Sequence, residues 1–147
     1  MKANDREAAA LAKLLKVSRS RAEEAGRRAA ELEYAREKTA ESLRLLADAI
    51  SSEEAAAQAA EIVGFVHLAG FLAGASAKRD ALRLTLQKID AELAAARSDL
   101  EATYAETRKF EHVVEIARTA ADKRLRRRNE AAVNAVAVMR FARRSKG

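Results

Sequence analysis

The fold is decided by the stretch from Leu82 to Ala121, which reads LRLTLQKIDAELAAARSDLEATYAETRKFEHVVEIARTAA. Apolar or small residues recur in it at alternating spacings of four and three, at Leu82, Leu86, Ile89, Leu93, Ala96, Leu100, Thr103, Thr107, Phe110, Val114, Ala117 and Ala121. A heptad repeat without a charged member is typical of the buried seam of a coiled coil. The stretch therefore predicts a long helix that packs along one narrow face against another helix.

A second seam of the same length precedes it. Its members are Ala8, Leu11, Leu15, Ser18, Ala22, Ala25, Ala29, Leu32, Arg36, Thr39, Leu43, Leu46 and Ile50. Two equal seams joined by a connector predict an antiparallel helical hairpin. Arg36 is the one charged member, and we expect its guanidinium to reach Asp99 or Glu92.

The register of the hairpin follows from the assumption that Ile50, the last member of the first seam, lies opposite Leu82, the first member of the second. The opposing pairs are then Leu46 with Leu86, Leu43 with Ile89, Leu32 with Leu100, Ala25 with Thr107, Leu11 with Ala121 and Ala8 with Arg124. In this register, residues 132–147 extend beyond the first helix.

Composition agrees with this architecture. The 147 residues include 37 alanines, no Pro, no Cys and no Trp, and 34% of them are charged. Long helices with narrow apolar seams suit such a chain better than a thick core. The prediction is one elongated all-α coiled-coil domain: helix one over about 4–50, a short helical, glycine-containing connector over about 51–77, and helix two over about 78–142.

The connector is the least charged part of the chain. Ser51-Ser52-Glu53-Glu54 has the S-x-x-E capping pattern, so the first helix is expected to stop at Ile50. Gly64, Gly70 and Gly74 then alternate with bulky apolar residues. The apolar stretch is shorter than the roughly 20 residues that a membrane span needs. We expect its bulky side chains to cap the end of the hairpin, with an exposed partner-binding patch as the alternative.

No catalytic constellation is visible in the sequence. A phosphate-binding glycine loop, a G-x-S-x-G motif and a thiol are all missing, and the carboxylates are scattered as on any charged coiled coil. His67 and His112 are predicted to lie far apart, so they cannot share a metal ion. The expectation is a protein that is not an enzyme and has no metal, cofactor or small-molecule substrate. Because Met1 to Glu7 contains no apolar run, a cytoplasmic location is expected.

Positive charge is concentrated near the C-terminus. The formal net charge is +6, and residues 123–147 carry nine cationic side chains against the single carboxylate of Glu130. The predicted register adds basic residues of the first helix to this end and leaves apolar residues of the last turns uncovered. The candidate partner-binding residues are Lys13, Lys16, Lys123, Arg124, Arg126, Arg127, Arg128, Val136, Met139, Arg140, Phe141, Arg143 and Arg144.

A family resemblance adds a specific hypothesis. The stretch Tyr104 to Glu111 (Tyr-x3-Arg-Lys-Phe-Glu) leads into the arginine-rich segment, and Asn129-Glu130-Ala131-Ala132 and Met139-Arg140 follow. With the chain length and the two-helix layout, these features resemble the FliJ family of flagellar protein-export components, which are akin to the stalk proteins of type III secretion. The resemblance extends over almost the whole chain.

The resemblance implies a stalk in the pore of a hexameric export ATPase that also contacts the export gate and substrate chaperones, peripheral to the inner membrane. A basic end would suit an acidic pore lining. Two alternatives from other classes stay open: a nucleic-acid-associated basic coiled coil, and a generic helical scaffold that dimerises through its outer faces. Nucleic acid is the less favoured partner, because no aromatic residue accompanies Lys123 to Arg128.

Overall fold

The computed structural model describes residues 2–146, and within that range the chain forms two α-helices and no strand. Helix α1 spans Lys2–Ala59 and helix α2 spans Glu61–Ser145. The two helices pack against each other in antiparallel orientation. The predicted all-α helical hairpin is therefore confirmed.

The first helix continues past the predicted stop at Ile50. Ser51 to Glu54 lie inside α1, which ends only at Ala59. The following residues, Ala55-Ala-Ala-Gln-Ala59, are strong helix formers. The helix therefore continues through the capping pattern, and no new helix begins there. The predicted connector over 51–77 is wrong, because its first part belongs to α1 and its remainder, from Glu61 onward, belongs to α2.

The chain reverses direction within very few residues. The Ala60 amide donates a hydrogen bond to the Ala57 carbonyl oxygen at 3.3 Å, and Glu61 adopts a φ of 62°. A left-handed conformation costs a residue with a Cβ roughly 1–2 kcal/mol. A Cβ added to Gly64 would lie 2.9 Å from the Ala60 Cβ and 3.0 Å from the Ala57 carbonyl oxygen. Glycine at position 64 is therefore what allows the first turn of α2 to approach the end of α1.

The packing divides the chain into two compact units, which are described separately. The turn unit comprises Arg21–Thr103, and the terminal unit comprises the chain up to Ser20 together with the chain from Tyr104 onward. The single elongated domain of the sequence analysis stays a prediction.

The core of the turn unit is narrow and made mostly of small side chains. Its buried apolar residues are Ala22, Ala25, Ala29, Leu32, Ala57, Ala75 and Leu93. The bulky seam residues nearer the turn are only half-buried: Leu43, Leu46, Ile50, Leu82, Leu86 and Ile89. The predicted seam positions therefore do face the partner helix in this unit, except that Arg36 is exposed.

Close contacts fix the register of the turn unit. Arg36 Nε donates to Asp90 Oδ1 at 2.6 Å, not to Asp99 or Glu92 as predicted. A Cβ placed on Gly26 would lie 3.9 Å from the Leu100 side chain, so Leu100 lies beside Gly26 and not opposite Leu32. The predicted register is wrong by about one heptad in this unit.

The terminal unit shows the same displacement by its own contacts. The buried hydroxyls of Ser18 and Thr107 form a hydrogen bond of 2.8 Å, although the predicted partner of Thr107 was Ala25, seven residues further along α1. Arg19 Nη2 lies 3.3 Å from Glu111 Oε1. Because a heptad seam presents the same face every seven residues, a shift of seven keeps the apolar seam positions covered except at its ends, where Ala8 and Ala121 are exposed.

Candidate protein-interaction surface

The last part of α2 lies uncovered along its whole length. Every residue from Ala121 to Lys146 is exposed, although helix α2 continues to Ser145. The stretch is rich in Ala and Arg and contains no Pro, and both facts favour continued helix without tertiary support. Arg143 and Arg144 in the last turn also interact favourably with the helix dipole. We call residues 123–146 the basic segment.

Five of the predicted site residues form a dense cationic cluster at the start of the basic segment. They are Lys123, Arg124, Arg126, Arg127 and Arg128, and all are exposed. Three consecutive arginines point in three directions around a helix, since each residue advances the helix by 100°. Among the described residues, the first four members of the cluster take part in no ion pair. Their charges are therefore available to an acidic partner.

A groove lies between this cluster and the first turns of α1, within the terminal unit. Its volume is about 680 Å³, and Leu11, Val113, Ile116 and Leu125 supply apolar walls. Its remaining lining residues include Asn4, Asp5, Glu7, Ala8, Ala117, Ala121, Asp122, Arg124 and Arg128. Because acidic and basic residues both line this groove, it binds anions less well than the later part of the basic segment.

A second groove lies on one face of α2 further along the basic segment. It has a volume of about 620 Å³ and is lined by Ala132, Val133, Val136, Ala137, Arg140, Phe141 and Arg144. Val136 and Phe141 are 50% and 75% exposed. An apolar floor with arginines beside it suits a partner surface that combines apolar and acidic side chains.

The remaining predicted site residues divide into two groups. Met139 is 66% exposed, and Arg143 is exposed as well, so both belong to the uncovered surface of the basic segment. Lys13 and Lys16 are exposed on α1, but Arg19, three residues beyond Lys16, pairs with Glu111. That register puts both lysines level with about residues 109–114. Both lysines therefore lie apart from the arginine cluster, and their part in partner binding stays a prediction.

The predicted site residues omit three members of the second groove, Ala132, Val133 and Ala137. Val133 and Ala137 follow the spacing Val133, Ala137, Arg140 and Arg144, which is one face of a helix. Of this lining, only Val136, Arg140, Phe141 and Arg144 are predicted site residues. A search for four-three spacing beyond the seam could have found Val133 and Ala137.

Ionisation elsewhere reflects ordinary exposed helix surface. In the turn unit, Arg44 Nε donates to Glu41 Oε2 at 2.9 Å. This hydrogen bond lowers the pKa of Glu41 and raises the pKa of Arg44 from their ordinary values. The pair is a neighbouring contact within α1 and marks no chemical site.

Residues 2–146 hold no cluster of three or more His, Asp or Glu side chains that could bind a metal ion. In the same range, neither helix contains a stretch long and apolar enough to cross a membrane.

Comparisons with protein-family models, with curated proteins and with solved structures find no match for this chain. The resemblance to the FliJ family therefore stays a prediction that these comparisons leave untested.

Proposed function

We propose that this protein is a non-enzymatic docking hairpin whose basic segment binds an acidic protein surface. The finer form of the proposal is a stalk-like component of the flagellar type III protein-export apparatus, in the cytoplasm and peripheral to the inner membrane. Its partner would be the pore of the hexameric export ATPase, which it would couple to the export gate and substrate chaperones.

One observation carries the proposal. Residues 123–146 form an uncovered helix with nine cationic side chains against Glu130, a net charge of +8. A single exposed helix with this charge gains more from an acidic, partly apolar partner than from any contact that the hairpin itself provides. A narrow helix is also the shape that enters a ring pore. The choice of the export ATPase rests on the resemblance in the sequence.

The test is a charge reversal with a matched control. The triple variant Arg126→Glu, Arg127→Glu and Arg128→Glu lowers the net charge by six at the cluster. A control triple variant, Lys78→Glu, Arg83→Glu and Lys88→Glu, makes the same change at exposed positions of the turn unit. Both should keep the helical circular dichroism of the wild type, because none of the six positions is buried.

Binding to the purified export ATPase hexamer and stimulation of its ATP hydrolysis are then measured at low and high salt. The cluster variant should bind at least tenfold more weakly, and the control should bind like the wild type. Wild-type affinity should also fall with rising salt. Equal binding by both variants would remove the basic segment from the function. Loss of affinity for a random DNA duplex, without any effect on the ATPase, would favour the nucleic-acid alternative.

A further inference from the structure

The turn end of the hairpin is almost free of charge. Residues 55–77 contain one formally charged residue, Glu61, in a chain that is 34% charged. Bulky apolar side chains are nonetheless exposed there: Ile62 at 81%, Val63 at 70%, Phe65 at 56% and Val66 at 70%. Such an uncharged, exposed apolar surface is unusual for a protein that acts alone.

Apart from Phe65, these exposed residues share one face of α2, directed away from α1. On the opposite face, Ala75 is buried, Leu68 and Leu72 are half-buried, and all three continue the heptad seam toward the turn. At 3.6 residues per turn, the outward residues form a single stripe. This turn face consists of Ile62, Val63, Val66, Ala69, Gly70, Ala73, Gly74 and Ala77, all of them exposed.

Two glycines of the turn face have no function in the hairpin itself. A Cβ added to Gly70 or to Gly74 would meet no described atom within 4 Å. A helix with glycine in its interior is less stable than one with alanine. Gly70 and Gly74 therefore lower the stability of α2 without relieving any close contact inside the chain. Gly64 differs, because a side chain at this position would collide with Ala57 and Ala60 at the chain reversal. The open space beside Gly70 and Gly74 can therefore be filled only by a molecule outside the chain.

The turn face also has a gradient of side-chain size. Its first part carries the bulky Ile62, Val63 and Val66, and its second part is small throughout, from Ala69 to Ala77. A two-fold axis near Gly70 would bring the bulky part of one copy onto the small part of another. In a two-fold interface each residue contacts its partner reciprocally, so this surface is complementary to itself.

We infer that the turn face is a self-association surface, on which a second copy of this chain packs its α2 antiparallel about Gly70. Val66 of each copy then lies over Gly74 of the other, and Val63 lies over Ala77. Missing side chains let the two helix backbones approach closely. The bulky residues of each copy are thereby removed from water.

Charge favours a second copy over other occupants. A charged protein surface would lose hydration against this face without gaining an ion pair. A lipid surface is disfavoured because the flanking charges are of both signs, with Glu53 and Glu54 before the uncharged stretch and Lys78 and Arg79 after it. Inserting the turn deeply into a membrane would bury those two carboxylates. The turn face of another copy has the matching property, which is the absence of charge.

The contact is small, which sets the strength of the association. Sixteen helical residues span about 24 Å, and a helix with side chains is about 10 Å wide. One helix face of these dimensions is smaller than the roughly 800 Å² per partner of a standard stable interface. The dimer is therefore weak and reversible, and it forms as the protein concentration rises through the micromolar range.

Sedimentation equilibrium over a wide concentration range tests the inference. The wild-type mass should rise from 16.0 kDa toward twice that value. Val66→Asp should stay monomeric, because it places two carboxylates in the uncharged contact. Gly74→Leu should also stay monomeric, although it meets no described atom inside the chain and replaces glycine by a good helix former. Val138→Asp, at a position 67% exposed in the basic segment, is the control that should associate like the wild type.

A single introduced cysteine tests the position of the two-fold axis. The chain has no cysteine, and position 70 has open space for a side chain. Under oxidation, Gly70→Cys should give a disulfide-linked dimer several times faster than Ser98→Cys, an exposed position outside the turn face. Equal rates for the two variants would overturn the inference.

Three further results would overturn it. They are a monomer at every concentration, an association that persists in Val66→Asp, and binding to phosphatidylcholine–phosphatidylserine vesicles by a monomeric wild type that Val66→Asp abolishes. The inference goes beyond the proposed function and does not depend on it. The arginine triple variant should associate normally, and Val66→Asp should still bind the export ATPase, so the two ideas fail separately.

Discussion

Two stretches of α2 expose bulky apolar side chains, one in nearly uncharged and the other in strongly basic surroundings. Val66 on the turn face and Val138 in the basic segment are 70% and 67% exposed, so the apolar surfaces are alike. Residues 55–77 contain one charged residue, whereas residues 123–146 contain nine cations and one carboxylate. Exposure by itself therefore does not tell which partner a surface takes. The charges around it make the difference.

The two stretches also differ in how the helix is maintained. The turn stretch contains Gly64, Gly70 and Gly74 and relies on packing against α1 through covered positions such as Ala75. The basic segment has no glycine and keeps its helix through alanine and arginine, with no residue covered. A helix without packing can be available to a partner from every side, while a packed helix offers only its outward face.

The largest expected effect is all-or-none: an intramolecular disulfide forms in one register of α1 against α2 and not in the other. Cysteines at Leu32 and Leu93, both buried in the turn unit, should form an intramolecular disulfide under mild oxidation. Cysteines at Leu32 and Leu100 should not, because seven residues separate Leu100 from Leu93, or about 10 Å along the helix. Non-reducing electrophoresis with free-thiol counting distinguishes the two variants. Efficient linkage of the second pair would restore the predicted register and shorten the uncovered part of α2.

This register shows what the sequence could and could not predict. The heptad spacing located the seam members from Leu15 to Leu32 and at Leu93, and these are buried. The same spacing could not choose between registers seven residues apart, because both bury the same faces. That choice depends on the reversal at Ala60 and Glu61, where a capping pattern at Ser51 suggested an earlier stop. The capping pattern is a local signal, and the helix-forming residues that follow it carry α1 on to Ala59.

The candidate surface was predicted to a similar extent. The arginine cluster is exposed as expected, since a run of adjacent cations with few carboxylates nearby in the sequence is costly to bury. Lys13 and Lys16 are exposed on α1, and their partner-binding role stays a prediction. For the turn face, the sequence predicts an exposed partner-binding patch only as the alternative to a cap on the hairpin end, with the glycines in a short helical connector. In the structure they lie in a helix that continues the seam at Leu68, Leu72, Ala75 and Arg79.

The next effect tests whether either exposed surface contributes to the fold. Leu93→Ala removes a side chain that is 3% exposed, and it should lower the free energy of unfolding by about 2–4 kcal/mol. Val66→Ala and Val138→Ala remove exposed side chains and should change it by less than about 0.5 kcal/mol. Leu43→Ala, at a half-buried position, should lie between these values.

Urea unfolding followed by circular dichroism measures all four variants, at a concentration low enough to keep the turn face unpaired. A loss above about 1 kcal/mol for Val138→Ala would mean that the basic segment packs on the hairpin. The contrast between the two surfaces would then be wrong, since one of them would be part of the core.

The smallest effect separates a glycine that the fold needs from one that it does not. Gly64→Ala places a Cβ 2.9 Å from the Ala60 Cβ and 3.0 Å from the Ala57 carbonyl oxygen, so backbone must shift. Even after the gain of about 1 kcal/mol that alanine brings to a helix, we expect a net loss of about 1 kcal/mol. Gly70→Ala meets no described atom within 4 Å and should gain about 0.5–1 kcal/mol. Thermal unfolding at low concentration should therefore move the two midpoints in opposite directions. If both midpoints shifted in the same direction, the chain reversal would be less tight than the Gly64 contacts require. The small size of Gly70 could then no longer be attributed to contact with a partner.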